Sequence, residues 1–270
     1  MRLGFVGAGR IGRPMVRRLV GAGHHVRVLA RSGAAHAALD GDGATPVGTL
    51  TEVAADAEAV LVGVRTDEQV REVGPALIGA MRPGAVLVVH TTGSPATADL
   101  LAAHGIEVVD APVSGGPHDV AAGTVTLLVG GADGAVGAVR PALRAYGDPI
   151  LHVGPRGNGQ RVKLINNALF AANIGLLAAA VDLGAQLGVD EKALLDALPQ
   201  GSASSFALAG VARAGSVGGF ARAAGEFLGK DVAVVRRVVA DLGGDLGALA
   251  GAHRALADVI PELDLPGAQS

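Results

Sequence analysis

The chain has 270 residues, half of them hydrophobic and 17% charged, which gives ample apolar material for one large or two medium domains and excludes a disordered chain. A formal net charge of −3 offers no electrostatic case for nucleic acid or an anionic membrane as partner. With no cysteine, disulfides, thiolate catalysis and cysteine-ligated metals are excluded, and a cytosolic location is compatible with that.

Arg2 to Val6 reads as a short buried strand, and Pro14 to Val20 has the apolar spacing of a helix. Between them Gly7-Ala8-Gly9-Arg10-Ile11-Gly12 sets glycines at the first, third and sixth places. Each answers a different need: Gly7 a tight turn, Gly9 close approach of a pyrophosphate to the backbone, and Gly12 close packing of helix on strand. The free N–H groups of the helix's first turn then favour phosphate. A dinucleotide site is therefore expected, and the N-terminus reads as that of an unprocessed, soluble, cytoplasmic protein, because these glycines would have to be retained.

Val26 to Ala30 alternates as a second strand and ends in Arg31-Ser32, where sites that prefer NAD place an acid beside the ribose 2′-hydroxyl. An arginine fork with a neighbouring hydroxyl suits a 2′-phosphate, so NADP is favoured with NAD as the alternative; the plain reading of Arg31 is a solvated loop charge. Helical spacing follows over Gly33 to Leu39, a short helix starts at Thr51, and Ala59 to Val64 is the next buried strand. Its carboxyl end, Val64-Arg65, is a candidate cofactor contact. A helix over Asp67 to Ile78 and a strand over Ala85 to Val89 continue the alternation, which argues for a doubly wound parallel sheet. His90 reads as a packed residue sooner than a catalyst, and the histidine spacing gives no zinc motif.

Ile106 to Asp110 is a strand leading into Ala111-Pro112-Val113-Ser114-Gly115-Gly116, where a hydroxyl and two glycine N–H groups could hold a carboxylate or simply form a turn. A strand over Thr124 to Val129, a helix over Ala135 to Tyr146 and a strand over Ile150 to Val153 follow. From Gly157 the strand pattern stops. One long helix is expected to about Leu187, with no charge from Leu164 to Val181; Asn166, Asn167 and Asn173 argue for a helix buried between domains over a membrane span. Helical stretches at Lys192 to Leu195, Phe220 to Leu228, Asp231 to Leu242 and Ala248 to Ile260 complete the chain. The expected architecture is α/β: an N-terminal Rossmann-type doubly wound sheet over 1–156, then an all-α C-terminal domain over 157–270, joined by a long interdomain helix. Lys163 opens that helix with Asn167 one turn on; it reads either as a lysine with lowered pKa, able to exchange a proton, or as one that snorkels from a helix end.

Taken together, four runs in order change this picture: Gly4 to Met15, Asp110 to Gly116 with Gly123-Thr124, Gly157 to Asn167, and Lys230-Asp231. In residues and spacing the chain resembles the β-hydroxyacid dehydrogenase family, which includes 3-hydroxyisobutyrate dehydrogenase and tartronate semialdehyde reductase and is related to 6-phosphogluconate dehydrogenase. The resemblance implies hydride transfer between a nicotinamide cofactor and a small 3-hydroxy acid or its oxo form. It implies Lys163 as general acid/base, Asn167 positioning substrate, and Ser114-Gly115-Gly116 gripping the substrate carboxylate. It also implies Thr92 near the nicotinamide, Lys230 by the cofactor, and a homodimer or homotetramer formed through the helical part. Imine reduction and cofactor binding without turnover are the alternatives, and Lys163 weighs against both. The chain departs from the family pattern at Pro117-His118-Asp119-Val120, at Val89, and in an early end to the C-terminal helix at Asp264 to Gly267.

Overall fold

β1 (Arg2–Val6) is buried beyond its first residue and is paired in parallel on both sides, by β2 (His25–Leu29) and β4 (Ala59–Val62). The computed structural model describes residues 1–260. β3 (Thr45–Val47) closes one edge of this sheet, and β5 (Val86–Val89) and β6 (Glu107–Asp110) extend the other, giving the order β3-β2-β1-β4-β5-β6 with every pairing parallel. β3 has no counterpart in the sequence reading, because its three residues include Pro46, which suits an edge strand alone.

β4 and β5 are buried on both faces, as parallel strands covered by helices must be. Alternate side chains enter different cores. Leu3, Phe5, Leu61 and Val88 join one, and Val6, Val60, Val62 and Leu87 the other. The covering helices are α1 (Gly12–Gly21), α2 (Gly33–Gly41), α3 (Leu50–Ala54), α4 (Asp67–Ala80) and α5 (Pro95–Ala102). Their starts are written locally: Thr49 with Glu52, and Thr66 with Gln69, form capping boxes. Ser94 caps α5, with Pro95 in its first turn.

The strands after Asp110 do not extend this sheet. β7 (Val113–Ser114), β8 (Val125–Val129) and β9 (Gly147–His152) form a second sheet in that order, with β7 antiparallel and β9 parallel to β8. α6 (Pro117–Ala122) and α7 (Asp133–Leu143) connect them. An isolated antiparallel bridge between Asp110 and Gly130 ties this sheet to β6.

The chain divides into two compact units, residues 1–163 and 164 onward, seven residues later than the sequence reading placed the boundary. The first turns of α8 (Asn158–Gln186) belong with the first unit because they are bonded to it, as described below. In the second unit α8 continues, followed by α9 (Glu191–Ala197), a 3-10 turn at Leu198–Gln200, α10 (Phe206–Ala214), α11 (Val217–Asp241) and α12 (Ala248–Ala257). α11 is one helix where two were expected, since Gly229 and Lys230 do not interrupt it. Small residues allow close crossings: a Cβ at Gly175 of α8 would overlap the Ala252 carbonyl of α12.

The second unit's core, including Ala171, Ile174, Leu208, Val211, Val232 and Leu256, covers only part of α8. Ile165, Leu169, Leu176 and Leu183 stand more than half exposed, so the uncharged middle of α8 is not the wholly buried helix that the sequence suggested. By length and composition alone α8 could cross a membrane. The expected early end at Asp264 to Gly267 lies outside the described residues.

Candidate active site

The glycine turn between β1 and α1 shows the tight turn at Gly7 and the close packing at Gly12 that its spacing predicts, and leaves open space at Gly9. Gly7 has φ +101°, and a Cβ there would overlap the Gly63 carbonyl across the neighbouring loop. Gly12 is buried, and a Cβ on it would strike the Gly7 carbonyl and the Phe5 ring. Gly9 meets nothing within 4 Å, so its missing side chain leaves open space. Ile11 precedes α1 without a side-chain cap, and the first turn is closed by Arg13 N–H to the Gly9 carbonyl at 2.9 Å. An uncapped helix start beside an open glycine is the cradle a dinucleotide pyrophosphate requires, so Gly7, Ala8, Gly9, Arg10, Ile11 and Gly12 fit that group.

The other expected cofactor residues of the first unit follow the carboxyl ends of neighbouring strands, where ligands of open α/β sheets bind. Arg31 and Ser32 follow β2 and are exposed; Ser32 Oγ accepts the Ala35 N–H at 3.2 Å and so caps α2. Val64 and Arg65 follow β4. The Val64 carbonyl accepts from Thr91 Oγ1 at 2.9 Å, and the Arg65 N–H donates to Gln69 Oε1 at 3.0 Å. Thr92 follows β5 and is half-buried.

Two residues to which the sequence assigned no role hold α8 in the first unit. The Asp110 carboxylate, fully buried, accepts the N–H of Gly157 at 2.6 Å and of Gln160 at 2.8 Å, and thereby caps the helix. Burial raises its pKa, opposed by those two N–H groups. The Gln160 amide, 2% exposed, accepts the Gly93 N–H at 3.0 Å and donates to the Thr91 carbonyl at 2.8 Å. It thus ties the turn that carries Thr92 to the helix that carries Lys163. Crowding keeps the junction tight: a Cβ at Gly159 would overlap the Leu128 carbonyl oxygen and crowd Asp110. Lys163, one turn beyond Gly159, is 8% exposed.

His90, on the other side of the Thr91–Gly93 turn, is a packed residue as expected. Its Nδ1 lies 2.7 Å from the Ala111 carbonyl, and the Tyr146 hydroxyl reaches its Nε2 at 2.8 Å. That pattern sets Nδ1 as donor and Nε2 as acceptor in a neutral ring. Burial lowers its pKa to about 4, opposed by the carbonyl bond. Tyr146, equally buried, is pushed well above the usual phenol range.

Ser114 ends β7, and Gly115 has φ +136°, a conformation that favours glycine. The Gly116 N–H is already spoken for: it donates to Asp119 Oδ2 at 2.7 Å. Asp119 therefore turns its charge onto the start of α6, a helix to which the sequence reading assigned no element, and the Gly116 N–H is engaged there and not left for a substrate carboxylate.

In the second unit Asn167 is 7% exposed. Its Oδ1 accepts from Asn166 Nδ2 at 3.3 Å, and its Nδ2 has no partner among the described residues. Asn167 lines a cavity together with Asp231. His253 of α12 bonds the carbonyl of Ala168, Asn167's neighbour, through Nε2 at 2.8 Å. Lys230, half-buried on α11, precedes Asp231. The nearest signal for these partners was the Lys230-Asp231 pair; nothing local marked Gln160 or His253. Among the described residues no group of three or more His, Cys, Asp or Glu is placed to hold a metal ion.

A parallel sheet in this strand order with an open glycine turn defines a dinucleotide-binding fold of the Rossmann type. The chain matches the family model for the NAD binding domain of 6-phosphogluconate dehydrogenase over residues 2–154. It matches that for the NAD-binding part of NADP-dependent 3-hydroxyisobutyrate dehydrogenase over residues 157–264. It is 33% identical to 2-(hydroxymethyl)glutarate dehydrogenase of Eubacterium barkeri, over 77% of this chain and 71% of that protein. The structure of Mycobacterium tuberculosis 3-hydroxyisobutyrate dehydrogenase with L-serine superposes with a TM-score of 0.85 at 27% identity, covering 98% of this chain and 99% of that one. Psf3 in complex with NADP+ and 2-OPP gives a TM-score of 0.68 at 25% identity, covering 99% and 88%. The chain belongs to the β-hydroxyacid dehydrogenase family and is an NAD(P)-dependent oxidoreductase acting on CH–OH groups.

Proposed function

We propose that the protein is an NADP-preferring dehydrogenase or reductase of a small 3-hydroxy acid or its semialdehyde or oxo form, with Lys163 as general acid/base. The observation that carries this reading is Lys163 itself, buried in the second turn of a helix whose first turn is pinned by Asp110 and Gln160. When bound, the nicotinamide supplies the hydride acceptor for oxidation and the donor for reduction. In oxidation Lys163 Nζ takes the proton of the substrate hydroxyl; in reduction it returns a proton to the same oxygen. Asn167 Nδ2 donates to a substrate oxygen, and the Ser114 hydroxyl with the Gly115 backbone receives the carboxylate, the Gly116 N–H being engaged by Asp119. The first turn of α1 holds the pyrophosphate, Arg31 and Ser32 the 2′-phosphate, and Val64, Arg65, Thr92 and Lys230 the rest of the cofactor.

Lys163→Ala tests the reading: NADPH fluorescence titration shows cofactor still bound, while turnover falls by about 10²–10⁴-fold. Unchanged turnover on hydroxy acids would overturn the role of Lys163. For the cofactor, Arg31→Ala weakens NADPH binding by about 1.5–3 kcal/mol and leaves NADH binding unchanged, since a charge-assisted phosphate contact is lost from one alone. Equal affinity of the unaltered protein for both cofactors defeats the NADP preference.

The partner of the exposed stripe on α8 is, in this reading, a second copy of the chain. Ile165, Leu169, Leu176 and Leu183 recur along one face of α8 at four- and seven-residue spacing, each more than half exposed, and Leu187 follows just past its end. A continuous apolar stripe of this kind exceeds the scattered leucines of a monomer's surface. Analytical ultracentrifugation is expected to give a homodimer or homotetramer; a monomer at micromolar concentration defeats this assignment.

A further inference from the structure

β5 and β6 run side by side to their ends and then part. Their ladder closes with the Ala111 N–H on the Val89 carbonyl at 2.8 Å. Beyond it the chain after β5 turns toward β4, with Thr91 Oγ1 on the Val64 carbonyl at 2.9 Å. The chain after β6 joins the second sheet, with the Leu128 N–H on the Pro112 carbonyl at 3.2 Å and Ser114 paired with Thr126. At this fork stands His90, 4% exposed. Its Nδ1 lies 2.7 Å from the Ala111 carbonyl, so a side chain adds one more rung where the backbone ladder has ended. A carbonyl only accepts, so Nδ1 carries the proton and Nε2 takes the Tyr146 hydroxyl at 2.8 Å. Tyr146 is fully buried in one core of the sheet, edge-on to the imidazole with ring centroids 5.7 Å apart. A buried polar pair adds little stability over apolar residues of the same shape. What its directed bonds add is placement.

We propose that His90 is a positioning residue that sets the distance between the two arms leaving this fork. One arm carries Thr92, two residues on, and the other carries Ser114. In the dehydrogenase reading above, on which this inference rests, the first arm meets the nicotinamide and the second the substrate carboxylate. The Nδ1 bond to Ala111 holds the arms in register, and the Tyr146 hydroxyl fixes the tautomer that makes that bond. Without the Nδ1 bond the Ala111–Ser114 segment keeps its ties to the second sheet and loses one to β5. The carboxylate is then presented out of line with the nicotinamide, while the cofactor is held as before. A displacement of about 1 Å is enough to slow a hydride transfer severely.

Two substitutions separate the two bonds. In His90→Asn the amide nitrogen stands at the Nδ1 position and donates to Ala111, while the Tyr146 hydroxyl loses its acceptor. In His90→Gln the amide oxygen reaches the Nε2 position and accepts from Tyr146, while the Ala111 carbonyl loses its donor. Each full-length protein is assayed with NADP+ and 3-hydroxyisobutyrate, 3-hydroxypropanoate or L-serine, titrated with NADPH, and unfolded in urea. His90→Gln should lower kcat/KM on the best of these acids by about tenfold or more with NADPH affinity unchanged. His90→Asn should bring kcat/KM back to within about threefold of the unaltered protein, although its urea midpoint falls at least as far. Equal kcat/KM in the two variants, or a fully active His90→Gln, overturns the inference and leaves the dehydrogenase reading standing. If the unaltered protein turns over none of the three acids, that reading fails and the inference with it. A readout on the unaltered protein needs no variant to fold: ¹⁵N-histidine NMR should show His90 as the Nδ1–H tautomer, with a signal that shifts when isobutyrate joins the NADP+ complex. The other tautomer, or a signal that does not move, overturns the inference as well.

Discussion

Two helices that start in the first unit, α1 and α8, begin in opposite ways. α1 starts after Ile11 with no side-chain cap and with open space beside Gly9. α8 starts with its N–H groups closed by the buried Asp110 carboxylate. Both starts have the same electrostatic appetite for negative charge. One is left for an anion from outside, and the other is satisfied by the protein itself. An anion site and an anchor are therefore told apart by whether the chain supplies its own carboxylate, not by the helix.

The contrast can be broken most severely at the α1 turn. Gly12→Val drives a side chain into the Gly7 carbonyl and the Phe5 ring, and should cost about 4 kcal/mol or more, read as loss of folded protein in urea unfolding. Gly9→Ala, in open space, should keep the native unfolding midpoint and lose NADPH affinity alone. Equal destabilisation by both would show that Gly9 faces protein and not ligand.

The next effect comes from the turn that α8 grips. The His90 pKa is about 4 in the fold against an ordinary 6.5, so the unfolded chain binds the extra proton between those pH values. Stability therefore falls as pH drops from 6.5 to 4, by about 3 kcal/mol from this residue, and is unaffected by it at neutral pH and above. His90→Gln removes that slope; a slope that persists in the variant assigns it to other groups.

The smallest expected effect sharpens the anchor itself. Asp110→Asn keeps one acceptor and turns an NH₂ toward the other N–H, costing about 1–3 kcal/mol in stability. Because Lys163 sits one turn on from Gln160, kcat should fall with NADPH affinity unchanged. A variant that loses stability with unaltered kcat would make Asp110 a cap and nothing more.

Much of the α1 turn was readable because its demands are local: three glycines within six residues, a strand before and a helix after. The α8 junction was not, since Gln160 bonds a carbonyl and an N–H that lie 69 and 67 residues away, and Asp110 bonds an amide 50 away. Asp119 shows what geometry adds. In the sequence it stood only as part of a departure from the family pattern; in the fold it holds the Gly116 N–H. β3 and α6 were missed for a simpler reason: each is too short to show a period and contains or begins with proline.

The sequence by itself determined the alternation of strands and helices, the dinucleotide turn, the helical second half and, through four motifs in order, the family and its lysine. All of these rest on spacing along the chain, set by backbone period and side-chain type. Only the tertiary structure decided which carboxylate closes α8, that His90 is neutral and buried, and that α8 keeps an uncovered apolar face. These depend on which distant residues are brought within hydrogen-bond or packing distance, and burial, which sets protonation and polarity, exists only once they are.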